Sequence, residues 1–323
     1  MKIVSMAAVA AALVALIGAS QPANAIALGV DFAVDYSFTD LGTPGGVPGP
    51  LGGLTFLDND TLLIGGAANG GSGVIRAIDV TRGGGGHITG YAGASVGYAT
   101  APNIDGGLAF GPGGVLFYTG YSNNILGQIK PGSVAPDKVI DLGPLGIVSS
   151  VGTLTFVPSG FPGAGQMKMA SYNGGQWYEI TLTPDGLGTY DVTGVVERAT
   201  PGGGPEGIVY VQGGNPGFAV DSVLISEYSL GTVGAYTIDA NGDPISGTRR
   251  EFLSGLSGAE GGVIDPLTGD FLFSTFGGGD RVVVVQGFDA PPPPPTNDVP
   301  EPATLLLLGA GLAGIGAVRR RQA

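Results

Sequence analysis

The chain has no cysteine, a single histidine and few charges, only 12% of its 323 residues. Without cysteine, disulfides, zinc–thiolate sites and thiol nucleophiles are all excluded. A zinc centre needs several His or Cys ligands, and one histidine cannot supply them. That histidine, His87, follows Gly83-Gly84-Gly85-Gly86. The glycine run predicts a solvated loop residue, not the packed base of a Ser-His-Asp relay. The glycine runs at 83–86, 202–204 and 277–279 lack a following Lys-Ser/Thr, so they read as turns and not as phosphate cradles. Basic residues are scarce, 13 Lys and Arg against 26 Asp and Glu. Setting aside residues 1–25 and 299–323 leaves nine basic and 25 acidic residues, a net charge of −16. Such a surface repels nucleic acid and anionic lipid headgroups, and accepts cations and neutral or amine-bearing polymers. Long helical periodicity is missing between the two ends.

Glycine and proline are abundant instead. Their 63 and 24 residues make about 27% of the chain, a level at which disorder is a serious expectation. The 43% of hydrophobic residues argue against it, because disordered chains lack apolar surface to bury. A glycine-rich folded β-protein with many tight turns fits both counts.

The two ends read as addresses. Met1-Lys2, an apolar run from Ile3 to Ile17 and Ala23-Asn24-Ala25 are the charged, apolar and cleavage regions of a secretory signal peptide. Signal peptidase is expected to cut after Ala25. Near the other end, Pro291–Pro295 form a stiff spacer that continues to Asp298. Val299-Pro300-Glu301-Pro302 comes next, then sixteen residues of apolar stretch from Ala303 to Val318, then Arg319-Arg320-Arg321. That stretch is near the lower limit for a membrane-spanning helix. The arginines act as a membrane stop and would stay cytoplasmic. Pro300 and Pro302 favour extended backbone, which presents Glu301 just outside the membrane.

This order of motif, short apolar helix and arginine cluster resembles the PEP-CTERM sorting signal, over about 25 residues. The resemblance implies recognition by an exosortase, a membrane-embedded cysteine protease-transpeptidase that cuts near Pro-Glu-Pro. It also implies a surface or exopolysaccharide-matrix protein of a Gram-negative, biofilm-forming bacterium.

Between the ends, residues 26–290 repeat. Gly53-Leu54-Thr55-Phe56 has counterparts at Gly107-Leu108-Ala109-Phe110, Thr153-Leu154-Thr155-Phe156, Gly207-Ile208-Val209-Tyr210 and Gly262-Val263-Ile264-Asp265. The apolar leaders at 54, 108, 154, 208 and 263 are spaced by 54, 46, 54 and 55 residues. Short strands at that period predict an all-β fold, a β-propeller of five blades, with six or seven left open. A β-sandwich or solenoid is the alternative. Later strands are expected at Val115–Thr119, Ile125–Lys130, Val139–Leu142, Ser222–Ser226, Thr232–Ile238, Phe271–Thr275 and Arg281–Gln286. The fifth unit lacks a fourth strand. The alternating segment Val30–Phe38 is expected to supply it and close the ring. The predicted organisation is a signal helix at 1–25, the propeller at 26–290, a linker at 291–298 and the sorting signal with its transmembrane helix at 299–323.

For chemistry, Asp105, Glu206 and Glu260 lie just before the repeated strands, Glu206 offset by one, opposite Leu51 and Val151 in the other two units. Converging at one mouth of a propeller they would suit Ca²⁺, which prefers oxygen ligands. Taken separately they read as solvated loop carboxylates. Trp177 and Tyr178, with Tyr172, form either a sugar-stacking platform or filling between blades. The repeat also loosely resembles propellers related to gluconolactonases and NHL repeats, in a way generic to propellers. The acidic and Asn metal constellation of those enzymes cannot be reconstructed from this sequence. Two readings result, a non-catalytic matrix protein associated with exopolysaccharide, and a metal-dependent lactonase-like hydrolase. A membrane-anchored ligand binder is a third.

Overall fold

A computed structural model of the chain describes residues 25–289. The expected signal peptide, apart from Ala25, and the proline run and sorting signal lie outside the described residues. No helix among those described is long and apolar enough to cross a membrane.

Two short strands come first, β1 (Ala27–Leu28) and β2 (Ser37–Asp40). Blade 1 comprises β3 (Leu51–Phe56), β4 (Thr61–Gly66), β5 (Val74–Arg82) and β6 (Ile88–Thr100). Blade 2 is β7 (Ile104–Phe110), β8 (Leu116–Gly120), β9 (Ile125–Ile129) and β10 (Lys138–Asp141). Blade 3 is β11 (Val151–Phe156), β12 (Met167–Ser171), β13 (Trp177–Pro184) and β14 (Tyr190–Ala199). Blade 4 is β15 (Pro205–Val211), β16 (Ser222–Glu227), β17 (Thr232–Thr237) and β18 (Arg250–Ser254), with β1 added at its outer edge. Blade 5 has β19 (Ala259–Ile264), β20 (Phe271–Thr275) and β21 (Val282–Gln286), and its fourth strand is β2. The fold is a five-bladed β-propeller.

Strand periodicity explains why the ring closes. Successive side chains point to opposite faces of a strand, so each middle strand feeds two inter-blade cores. In β4, Leu62 and Ile64 pack against Leu272 and Val284 of blade 5, while Leu63 joins Tyr118 and Leu116 of blade 2. In β12, Met169 faces Phe117 of blade 2 and Ala170 faces Tyr210 and Val223 of blade 4. In β20, Phe271 and Phe273 meet Leu224 and Phe252 of blade 4. Each of the five apolar clusters joins two neighbouring blades, so no blade face is left open.

The closing strand differs from its expected form. Residues 30–35 turn, and only Ser37–Asp40 pairs with β21, Ser37 opposite Gln286 and Asp40 opposite Val283. Ala33 and Tyr36 donate backbone hydrogen bonds four residues back, to Gly29 and Phe32. Phe32 and Tyr36 therefore share one face and are buried, whereas Val30 and Val34 are about 90% exposed. The alternation of the sequence is the accident of a helical turn spaced by four. Trp177 and Tyr178 fill inter-blade cores and are buried. His87 is also no free loop residue, since its Nδ1 lies 2.8 Å from Asp270 Oδ2. Beside it Arg82 grips Asp265 at 2.7 and 3.0 Å, so the glycine loop is tied onto the 265–270 turn of blade 5.

Candidate functional site

The inner strands β3, β7, β11, β15 and β19 surround the propeller axis, and every one carries a register shift near its start. A bulge adds residues to one strand of a pair and re-aims the side chain there. Asp105, Glu206 and Glu260 are each the second residue of their strands, β7, β15 and β19. The one-residue offset of Glu206 disappears in the fold, because the bulges differ in length: Ile104 to Leu108 spans Gly120 to Tyr118, and Pro205 to Gly207 spans Glu227 to Ser226. The same place in β3 and β11 holds Gly52 and Gly152, not Leu51 and Val151.

Glycines at and beside these places permit a very tight axis. A Cβ at Gly106 would fall 2.1 Å from the Glu206 carbonyl oxygen, one at Gly207 2.5 Å from that of Glu260, and one at Gly152 2.4 Å from that of Pro205. The result overturns the expectation of solvated carboxylates. Asp105, Glu206 and Glu260 are 1%, 3% and 1% exposed, and one ligand oxygen from each lies within 4.8 Å of the others. Asp105 Oδ2, Glu206 Oε2 and Glu260 Oε1 have no hydrogen-bond partner. Burial pushes Asp105 up to about 8, against the opposing influence of Glu260, Asn69 and the Gly106 backbone. Burial first, then the neighbouring acids, push Glu206 and Glu260 well above the usual carboxylate range. Nothing basic figures among the causes for any of the three.

Above this triad runs an arc of aromatic rings that sequence reasoning missed. Tyr121, Tyr172, Tyr228 and Phe276 each come directly after the second strand of their blade. Their centroids lie 6.0, 5.5 and 5.9 Å apart in turn, edge to face. Tyr172 thus belongs to this arc and not to a platform with Trp177. The Tyr228 hydroxyl is pushed up by burial first, then by the Glu260, Tyr172, Glu206 and Asp105 charges. Blade 1 interrupts the arc, having Ala67 after β4. The signal was an aromatic recurring in four of the five blades, visible only once the second strands are aligned.

Toward the other end of the inner strands lies a cavity of about 520 Å³. All five apolar leaders, Leu54, Leu108, Leu154, Ile208 and Val263, line it, with Phe156, Phe161 and Phe271. Phe288 and Asp289 also line it, where the chain leaves the described fold.

The segment beyond that exit is identified by comparison. Residues 298–321 match the PEP-CTERM protein-sorting motif. The motif implies export, exosortase processing and a cell-surface destination. No curated protein matches the chain. Among solved structures, virginiamycin B lyase from Staphylococcus aureus is 16% identical, covering 75% of this chain and 69% of its own, with a TM-score of 0.38. A PQQ-bound aldose sugar dehydrogenase from Streptomyces coelicolor is 14% identical over 76% of this chain and 82% of its own, TM-score 0.38. A glucose dehydrogenase is 14% identical over 78% and 99%, TM-score 0.43. The blade count rests on the sheet order above, and these likenesses add nothing about chemistry. Eight residues separate Asp289, which lines the cavity, from the start of the PEP-CTERM motif in the sequence.

Proposed function

We propose that this chain is a non-catalytic component of the bacterial surface or extracellular matrix, exported through a signal peptide cut after Ala25 and associated with exopolysaccharide once an exosortase has removed its tail. The sorting motif at 298–321 carries the reading. The acidic, glycine-rich domain and its poor catalytic inventory support it. The lactonase-like alternative needs a substrate to reach its metal, and the three candidate carboxylates are buried. One observation favours a ligand-binding role within the same protein, the apolar cavity of about 520 Å³ lined from all five blades, a size and character typical of small-molecule sites.

Intact mass spectrometry of the protein from its own host, with cell-bound and released fractions kept apart, tests the sorting step. The expected species begins at Ile26 and ends near Pro300–Pro302, and an added mass marks covalent attachment. A species that keeps Arg319–Arg321 makes the tail an ordinary anchor. Co-sedimentation with exopolysaccharide extracted from the same host then tests association, and protein left entirely in the supernatant counts against it.

A further inference from the structure

We propose that Asp105, Glu206 and Glu260 hold one Ca²⁺-like divalent cation on the propeller axis, joining blades 2, 4 and 5 at their innermost strands. Three equivalent strand positions deliver the three carboxylates, and their oxygens lie within 4.8 Å of each other, a separation that one ion with Ca–O distances of about 2.3–2.6 Å can bridge. The donors are hard oxygens without nitrogen or sulfur, which selects Ca²⁺ over zinc or copper. The second, independent observation is the unsatisfied hydrogen bonding. Each carboxylate is more than nine-tenths buried and keeps one oxygen without a partner. Buried carboxyl groups normally find hydrogen bonds or counter-charge.

Neutralisation by the protein itself is ruled out by the surroundings. The basic side chains that form ion pairs among the described residues pair elsewhere, Lys168 with Asp243 and Glu179, and Arg249 with Glu227, for example. Either protons or a metal ion must therefore balance the cluster. Asn69, from the loop after Ala67 in the one blade without an aromatic cap, lies beside Asp105 and favours its ionised form. Its own Oδ1 is also buried without a partner.

The test uses the full chain purified without chelator. Elemental analysis is expected to find about one Ca²⁺ per chain. Dialysis against EGTA should lower Tm, and CaCl₂ should restore it along a saturable curve. The variant carrying Asp105→Asn, Glu206→Gln and Glu260→Gln should lose the calcium response and, in EGTA, melt no lower than the wild type, since amides remove the mutual repulsion. If that variant fails to fold, Glu206→Gln alone should move the calcium midpoint roughly tenfold or more upward. The proposal is overturned by protein that contains no stoichiometric metal and whose Tm ignores Ca²⁺ and Mg²⁺ but rises on acidification, since protons then balance the cluster. A calcium response retained in the triple variant also overturns it, by placing the ion elsewhere.

Discussion

Lys168 shows how a single buried charge ties two blades together. It is fully buried in β12, with Nζ 2.7 Å from Asp243 Oδ1 and 3.1 Å from Glu179 Oε2. Trp177 Nε1 donates to the same Asp243 oxygen at 2.8 Å, so a residue beyond β17 is clamped against blade 3. Removing one partner of a buried pair strands the other charge, which costs about 3–5 kcal/mol. Lys168→Met should therefore lower the urea midpoint sharply, and adding Asp243→Asn should recover part of the loss. Equal midpoints for the single and double variants would show that the two charges are not coupled. Gly106 is the second test at this scale. A methyl group there would meet the Glu206 carbonyl oxygen at 2.1 Å, and backbone cannot yield as a side chain can. Gly106→Ala is expected to destabilise by about 1–3 kcal/mol or more, whereas Gly132→Ala, where nothing lies within 4 Å but φ is +83°, should lose only about 1 kcal/mol from backbone strain. Comparable losses in urea titrations would mean that the axis is looser than the structure shows. Sequence alone shows that these glycines recur, not that each one faces a carbonyl of another blade.

At the scale of elements, the sequence is most informative where one strand is read against its repeat. The strand expected at Phe271–Thr275 is β20 with the same bounds, and the leaders at 54, 108, 154, 208 and 263 all belong to inner strands. Blades 1 and 3 are readable only at those leaders. Their outer strands are long, such as β6 with 13 residues and β14 with 10, and half-exposed, so polar residues blur their period. The carboxylate triad is visible in the repeat but not separable there from surface acids, because burial depends on bulges whose lengths appear only in the pairing register. Ring closure, by contrast, is expected from the missing fourth strand of blade 5. It rests on the four residue pairs between β2 and β21, supported by Phe32, Tyr36 and Phe288 in the cluster beneath. Deleting residues 26–40 leaves β21 as an open edge, a template for association. Size-exclusion chromatography should then show aggregates, with loss of the cooperative melt. A monomer with unchanged Tm would mean that the ring does not depend on its closing strand.

For the whole molecule, the decisive geometry is where the described residues end. Asp289 lines the cavity, and eight residues lead from it to the sorting motif. The nine steps from Asp289 to Asp298 span at most about 32 Å even when fully extended. While the tail is intact, Asp289 at the cavity is therefore tethered within that distance of the sorting motif, and processing by the exosortase releases the constraint. Glu301 is the one charged residue between the proline run with its Asp298 and the terminal arginines, so it is the natural polar mark for the enzyme. Glu301→Ala is expected to keep the protein in the inner-membrane fraction with Arg319–Arg321 still present by mass, while the propeller melts as in the wild type because the substitution lies outside residues 25–289. Glu301→Asp, which keeps the charge and shortens the reach, should restore processing in part. If Glu301→Ala is cut and released like the wild type, recognition resides in the prolines or the basic end, and the extended Pro-Glu-Pro backbone becomes the feature to vary next.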